Sequence, residues 1–330
     1  MGQWLRMVVA MALVLFVPVI GIAQEKVDIP SRTPSTMTEY AQGQGAAVKV
    51  VGYLYLPSGA KGPVPAMILM HGSAGLTGAL GDNIRAWAKS MNDWGMAAFV
   101  VDSFTPRGIG ESASDQSKLR SLADLADAFA ALKVLAADQR IDPSRIGIIG
   151  WSRGGAVAME TALESARLAV LAPTDPKFAA HVVFYGMASP QYRDTATDHA
   201  PMLFLHGDAD NLVPAGPTRE FADWIKTQGN PVTFQTYPGV YHDFDVEKGI
   251  DGSVRRVQTA RNCDVVVDFS TGQVTRMDNK PASGVSGLAL IRYMRGCMQT
   301  GAELHPNGAA RADAVERVHH FLMDTFHIPG

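Results

Sequence analysis

No run of lysine or arginine interrupts this 330-residue chain, whose formal net charge is −3. The electrostatic footprint of nucleic acid binding is missing, and no nucleic acid partner is expected. Charge itself is sparse: 18% of residues are charged and 47% hydrophobic, the balance of a globular domain rather than a disordered chain. No internal repeat or low-complexity segment appears. The nine histidines fall at no spacing that suggests a metal site, so no metal is expected. Beyond residue 23 no segment is apolar enough for the ~20 residues a membrane helix needs.

What is present at the N-terminus reads as a processing signal. Arg6 supplies a positive region, Met7 to Val17 an apolar one, and Pro18 and Gly21 break it. Gly21-Ile22-Ala23 offers small residues where signal peptidase cuts, so cleavage before Gln24 is expected and residues 1–23 are set aside. The alternative is an uncleaved anchor. No cysteine stands near the cleavage site to carry a lipid. The mature chain is then exported, periplasmic or secreted, with a net charge near −4 once Arg6 is removed. Its only cysteines, Cys263 and Cys297, are expected to pair in such a compartment rather than remain thiols. Closing a loop of about 35 residues is worth roughly 3–4 kcal/mol on chain-entropy reasoning.

Residues 24–330 read as a single domain. The stretch 24–45 is polar and predicts an irregular lead-in. Alternation over 47–56 predicts an exposed strand. Short unbroken apolar runs at 64–70, 97–101, 145–149, 180–185 and 202–206 fit strands buried on both faces of a parallel sheet. Between and after them, helical stripes occupy 83–94, 117–138, 217–228 and 310–326. Strand alternating with helix implies right-handed crossovers and a doubly wound, mostly parallel sheet with helices on both faces. Residues 247–306 break this rhythm. They hold both cysteines and a hairpin turning at Thr271-Gly272, and read as an insertion before the C-terminal helix.

The strongest local signal is Gly150-Trp151-Ser152-Arg153-Gly154. It is a G-x-S-x-G sequence with an apolar strand before it and a helical stretch after it, the context of a nucleophile on a sharp strand-to-helix turn. A serine hydroxyl needs a base, and in the α/β-hydrolase fold the order is nucleophile, acid, histidine. Asp210 follows a strand and has the fold's spacing to Val213-Pro214, leaving Asp208 as a turn former. His242 follows the strand at 232–234 and is the expected base, while His206 is expected to pack at a strand end. The N–H of Arg153 and that of Ser73 or Ala74 are the expected oxyanion donors. The expected chemistry is attack by Ser152 on a carbonyl, an acyl-enzyme, and hydrolysis, and no cofactor is expected because a triad needs none.

Several further pieces resemble the dienelactone hydrolase family: Met70-His71-Gly72-Ser73 with Gly75-Leu76, Val101-Asp102-Ser103-Phe104 with Pro106-Arg107-Gly108, Asp142 to Gly147, His206-Gly207 through Asp210 to Val213-Pro214, Tyr241-His242-Asp243-Phe244, and Asn307 to Leu322. The resemblance implies an α/β-hydrolase fold and an ester- or lactone-cleaving activity. The family's namesakes use cysteine where this chain has Ser152, so the likeness is closer to its exported serine members. An arginine in the region of Arg107 can bind a substrate carboxylate in the family; the alternative is a structural arginine bonded to loop carbonyls or Asp102. Trp151 and Tyr241 are further candidates for substrate contact, or for packing. The insertion reads equally as a lid or as a bridged surface excursion.

Competing readings are acyl transfer or peptide cleavage on the same fold, and a non-catalytic exported binding protein. The last predicts a broken triad, and here all three members stand in order. The expected partner is a small-molecule ester, with the oligomeric state left open.

Overall fold

The apolar runs become the middle of one eight-stranded sheet. The computed structural model describes residues 24–187, 190–276 and 288–328; the expected signal peptide lies outside them. In chain order the elements are β1 (Gln24–Thr33), α1 (Met37–Ala41), β2 (Ala46–Tyr55), β3 (Val64–Met70), α2 (Gly78–Asp93), β4 (Ala97–Asp102), α3 (Ser121–Ala136), β5 (Ile141–Trp151) and α4 (Arg153–Glu160). There follow α5 (Glu164–Leu168), β6 (Ala180–Phe184), β7 (Pro190–Tyr192), β8 (Met202–Gly207), α6 (Ala215–Thr227) and β9 (Val232–Tyr237). The sheet runs β1-β2-β4-β3-β5-β6-β8-β9. Its first two pairings, β1 with β2 and β2 with β4, are antiparallel, and the other neighbours are parallel.

Successive residues of a strand face opposite ways, so each apolar run feeds two cores. Ile68 and Met70 join Phe129 of α3 and Val157 of α4 on one face. Met67 and Leu69 join Trp87 of α2 and Val318 and Leu322 of the last helix on the other. Burial on both faces is why these strands read as continuous hydrophobic runs.

One expectation fails here. The polar stretch 24–45 is no irregular lead-in: residues 24–33 form β1, paired in full antiparallel register with β2. An edge strand has one free flank, so it tolerates polar residues and Pro30 that a central strand would not.

The insertion contains β10 (Gly252–Thr259), β11 (Val265–Asp268), β12 (Gln273–Arg276), α7 (Leu288–Cys297) and β13 (Gln299–Leu304), after which α8 (Gly308–Phe326) closes the fold. β11 and β12 form the expected hairpin with Thr271-Gly272 in its turn, and β11 also pairs with β7. β10 pairs with β13 as a separate ribbon. Cys263 and Cys297 are bonded to each other, tying the start of the hairpin segment to the end of α7. No helix among the described residues is long and apolar enough to cross a membrane.

Candidate active site

Ser152 sits where β5 turns into α4, with φ 53° and ψ −113°. Positive φ is costly for a residue with a Cβ and persists only where the surroundings enforce it. Here they do. The Ser152 amide donates to the Phe184 carbonyl at 3.0 Å. A Cβ on Gly150 would lie 2.0 Å from the Gly154 carbonyl oxygen, and one on Gly154 would lie 2.1 Å from that of Met70. Only glycine at both positions lets strand, turn and helix close this tightly. Three of the five positive-φ non-glycine residues described gather here: Ser152, Tyr185 and Asp243.

The loops after β8 and β9 bring up Asp210 and His242. Nδ1 of His242 donates to Asp210 Oδ2 at 2.6 Å. The other Asp210 oxygen accepts from the amides of Leu212 and Val213 at 2.9 and 2.8 Å. Burial alone would raise the Asp210 carboxyl, but His242 and His206 hold it far below the usual carboxylate range. Burial pulls the His242 imidazole down, and Asp210 outweighs it, so its pKa is raised. Its Nε2 is buried and has no hydrogen-bond partner among the described residues, and His242 borders the same cavity of about 390 Å³ as Ser152. No hydrogen bond joins Ser152 Oγ to it, and such bonds commonly tighten only with substrate in place.

Gly72, Ser73 and Ala74 line the cavity beside Ser152. A Cβ on Gly72 would meet the Trp151 carbonyl oxygen at 3.2 Å and Ser152 Cβ at 3.4 Å, so this loop lies directly against the serine turn. Neither the Ser73 and Ala74 amides nor that of Arg153 makes a backbone hydrogen bond among the described residues. The Arg153 side chain turns away. It binds Asp124 at 2.6 Å, the Leu119 carbonyl at 2.7 Å and Gln116 at 3.1 Å.

The expected substrate contacts fare differently. Arg107 does not reach the cavity. Its side chain, 6% exposed, is paired with fully buried Asp127, through bonds of 2.7 and 2.9 Å, and its remaining donors go to Thr33 and the carbonyls of Ser103 and Arg32. With every donor engaged, no group is left for a ligand. Asp102 instead accepts from the amides of Phe104 and Thr105. Two arginines do border the cavity: Arg153, whose guanidinium is held by Asp124, and Arg120, which has no ion pair among the described residues. Tyr241 lies away from the cavity with its ring against His305. Trp151 borders the cavity but is 3% exposed, stacked on Phe184. His206 does pack at its strand end, donating to the Val213 carbonyl at 2.8 Å, but it also lies 3.4 Å from Asp210.

Two aspartates that sequence reasoning passed over surround the base. Asp245 is fully buried and accepts four bonds, from Asn83, Trp87, Trp151 and Tyr185. It thereby ties α2, the serine turn and the Tyr185 ring, which lies 4.4 Å from the His242 ring. Asp243 borders the cavity, 3.9 Å from His242 Nε2. Burial pushes its carboxyl up to about 6, with His242 opposing and Asp245 and Asp210 adding to the rise. Both were visible as His242-Asp243-Phe244-Asp245, but no spacing rule separates a buried acid from a surface one.

The insertion supplies the facing wall. Val254, Val257, Cys263, Val265, Met294 and Met298 border the cavity, and the segment is bonded to the loops that carry the acid and the base. Thr259 and Arg261 donate to the carbonyls of Leu212 and Asn211. The Glu303 amide donates to the Asn211 side chain at 2.9 Å. Leu304 makes a β-bridge with His242, and the Asn307 amide donates to the Phe244 carbonyl at 2.9 Å.

A mostly parallel sheet with helices on both faces and a serine turn at its carboxyl edge is the α/β-hydrolase fold. The model of the dienelactone hydrolase family matches residues 50–269; the chain belongs to this family and is a hydrolase acting on esters. It is 27% identical over 227 residues to an uncharacterized protein of Mycobacterium tuberculosis, covering 64% of this chain and 76% of that one. It is 23% identical over 269 residues to a monoacylglycerol lipase of Mycolicibacterium smegmatis, covering 63% and 91%. Among solved structures it resembles a dienelactone hydrolase-like promiscuous phosphotriesterase from metagenomic libraries, with 18% identity, a TM-score of 0.55, and coverage of 92% of this chain and 99% of that one.

Proposed function

We propose that this protein hydrolyses carboxylic esters or lactones through an acyl-enzyme on Ser152, with His242 as base and Asp210 as its orienting acid. One observation carries the reading: His242 bonds buried Asp210 through Nδ1, has no partner for Nε2 among the described residues, and borders the same cavity as Ser152. The bond to Asp210 places the proton on Nδ1, which leaves Nε2 basic. Nε2 takes the Ser152 proton as Oγ attacks the carbonyl. The oxyanion that forms is stabilised by the amide of Arg153 and that of Ser73 or Ala74. His242 then returns the proton to the leaving alcohol, and water attacks the acyl-enzyme by the same route. An exported location fits the Cys263–Cys297 bond, since oxidising compartments preserve such pairs. The insertion, bonded to both the acid and base loops, acts as a fixed wall rather than a lid.

The test is hydrolysis of p-nitrophenyl acetate and butyrate by the protein from Gln24 onward. Ser152→Ala is expected to lower kcat by ~10³-fold or more. A fluorophosphonate probe should label the wild type at Ser152. Unchanged turnover in Ser152→Ala, or no turnover and no labelling in the wild type, sinks the assignment.

A further inference from the structure

The cavity does not end at Ser152. Ser152, Ala156 and Glu160 all border it, spaced four residues apart along α4 and its cap, so they form one stripe on that helix. Eight residues of helix carry the cavity ~12 Å from the serine. Ala156, between the two, is small and leaves the way open. At the far end Glu160 is only 8% exposed. Its Oε1 accepts from the Tyr192 hydroxyl at 2.8 Å. Its Oε2 makes no hydrogen bond, and no cation pairs with it, among the described residues. Tyr192 belongs to β7, which pairs with β11, and the first residue of β11, Val265, borders the cavity. The acid therefore stands where α4 meets the insertion's apolar wall.

Oε2 is not among the side-chain atoms fully buried without a partner, so on this otherwise buried side chain it is the accessible acceptor, free to take a donor that a ligand brings in. The charged groups facing it are few. Arg153 attracts it, but that guanidinium is already engaged by Asp124. Burial consequently pushes the Glu160 carboxyl up to about 7, with Tyr192 and Arg153 opposing the rise and Asp124 adding to it.

We propose that Glu160 determines specificity for the far arm of the substrate. It selects esters whose apolar arm of about six to eight carbons, a length set by the ~12 Å run of helix, ends in a hydrogen-bond donor, a hydroxyl or an ammonium. The apolar wall takes the chain of the arm, and Oε2 takes the donor. Where Glu160 is ionised, an ester ending in a carboxylate brings like charge and no proton to Oε2 and is disfavoured. This inference rests on Ser152 as the attacking group.

The experiment compares kcat/KM for methyl hexanoate, methyl 6-hydroxyhexanoate, methyl 6-aminohexanoate and monomethyl adipate, followed by acid release at a constant pH of about 8, where Glu160 is ionised. In the wild type at least one donor-ended ester is expected to exceed methyl hexanoate tenfold or more, with monomethyl adipate lowest. Glu160→Leu should bring the ratio of donor-ended to plain ester to about one or below. Ala156→Phe, which leaves the acid in place and blocks the passage, should reduce the six-carbon esters tenfold relative to p-nitrophenyl acetate. The proposal is overturned if methyl hexanoate matches both donor-ended esters in the wild type, if the ratio survives Glu160→Leu, or if Ala156→Phe spares the six-carbon esters. A lead for monomethyl adipate would also overturn it and give the arm to Arg120. Wild-type turnover of p-nitrophenyl acetate, whose acyl group is too short to reach Glu160, separates the two readings. Acetate turnover without the selectivity sinks this inference alone; no acetate turnover together with no fluorophosphonate labelling of Ser152 sinks both.

Discussion

The cavity has two walls of opposite character. The sheet-edge wall carries Ser152, Asp210 and His242 and is stiffened by polar bonds in the interior, with Asp245 alone accepting from four side chains on α2, β5 and the turn after β6. The insertion wall is mainly apolar toward the cavity, with Gln258 its polar member, and is built from a two-stranded ribbon, a hairpin and one disulfide. A short two-stranded ribbon is marginal by itself, so this wall depends on its cross-link and on bonds to the other. The contrast separates chemistry from selection: damage to the first wall should appear in kcat, and damage to the second in stability and KM.

The sharpest way to break that contrast is Asp210→Asn. Losing the anion that fixes the His242 tautomer is expected to cut kcat by ~10³–10⁴-fold while the thermal melt moves little. A larger change in KM than in kcat would erase the distinction. Replacing Cys263 and Cys297 together by serine should lower stability by about 2–4 kcal/mol in urea titrations and raise KM for long-armed esters more than it lowers kcat. Glu160, where the walls meet, should show itself in the pH dependence of stability. Its pKa is about 7 in the fold and near 4.5 in the open chain. The folded state therefore holds the proton longer, and its stability falls as pH rises from 4.5 to 7, by about 3 kcal/mol at most. Glu160→Gln should remove that part of the slope, and superimposable curves for wild type and variant would refute it. The smallest effect belongs to Asp243→Asn. Asp243 helps to raise the His242 pKa, so removing its charge should move the acid limb of kcat/KM to lower pH by less than about one unit; a shift to higher pH would contradict the placement.

The central sheet and the serine turn were legible because their signals are local. Strands buried on both faces must be apolar throughout, and a turn with φ near +53° next to close backbone contacts demands its glycines. Asp210 and His242 were legible by order along the chain. Legibility ends where a partner is fixed only by tertiary packing. Arg107 has the composition of a ligand-binding residue, and only the fold reveals that α3 delivers Asp127 to it. Glu160 is one acid at the end of a helix until Tyr192 and the insertion close over it. β1 went unread because an edge strand needs no apolar alternation, only a neighbour with free backbone groups.

The bonds from the insertion to Asn211, Leu212, His242 and Phe244 have a consequence for how such a protein can diversify. An active-site wall hung on a flexible stalk can be exchanged by recombination, and the donor's preference travels with it. Here the splice points lie beside the acid and the base. A foreign segment of different length would pull on Leu304 and Asn307, and the imidazole would move with them. The modular unit is therefore the whole span from the Asp210 loop to the start of α8, and new specificities should arise more readily by point changes along the insertion's inner face than by replacing it outright.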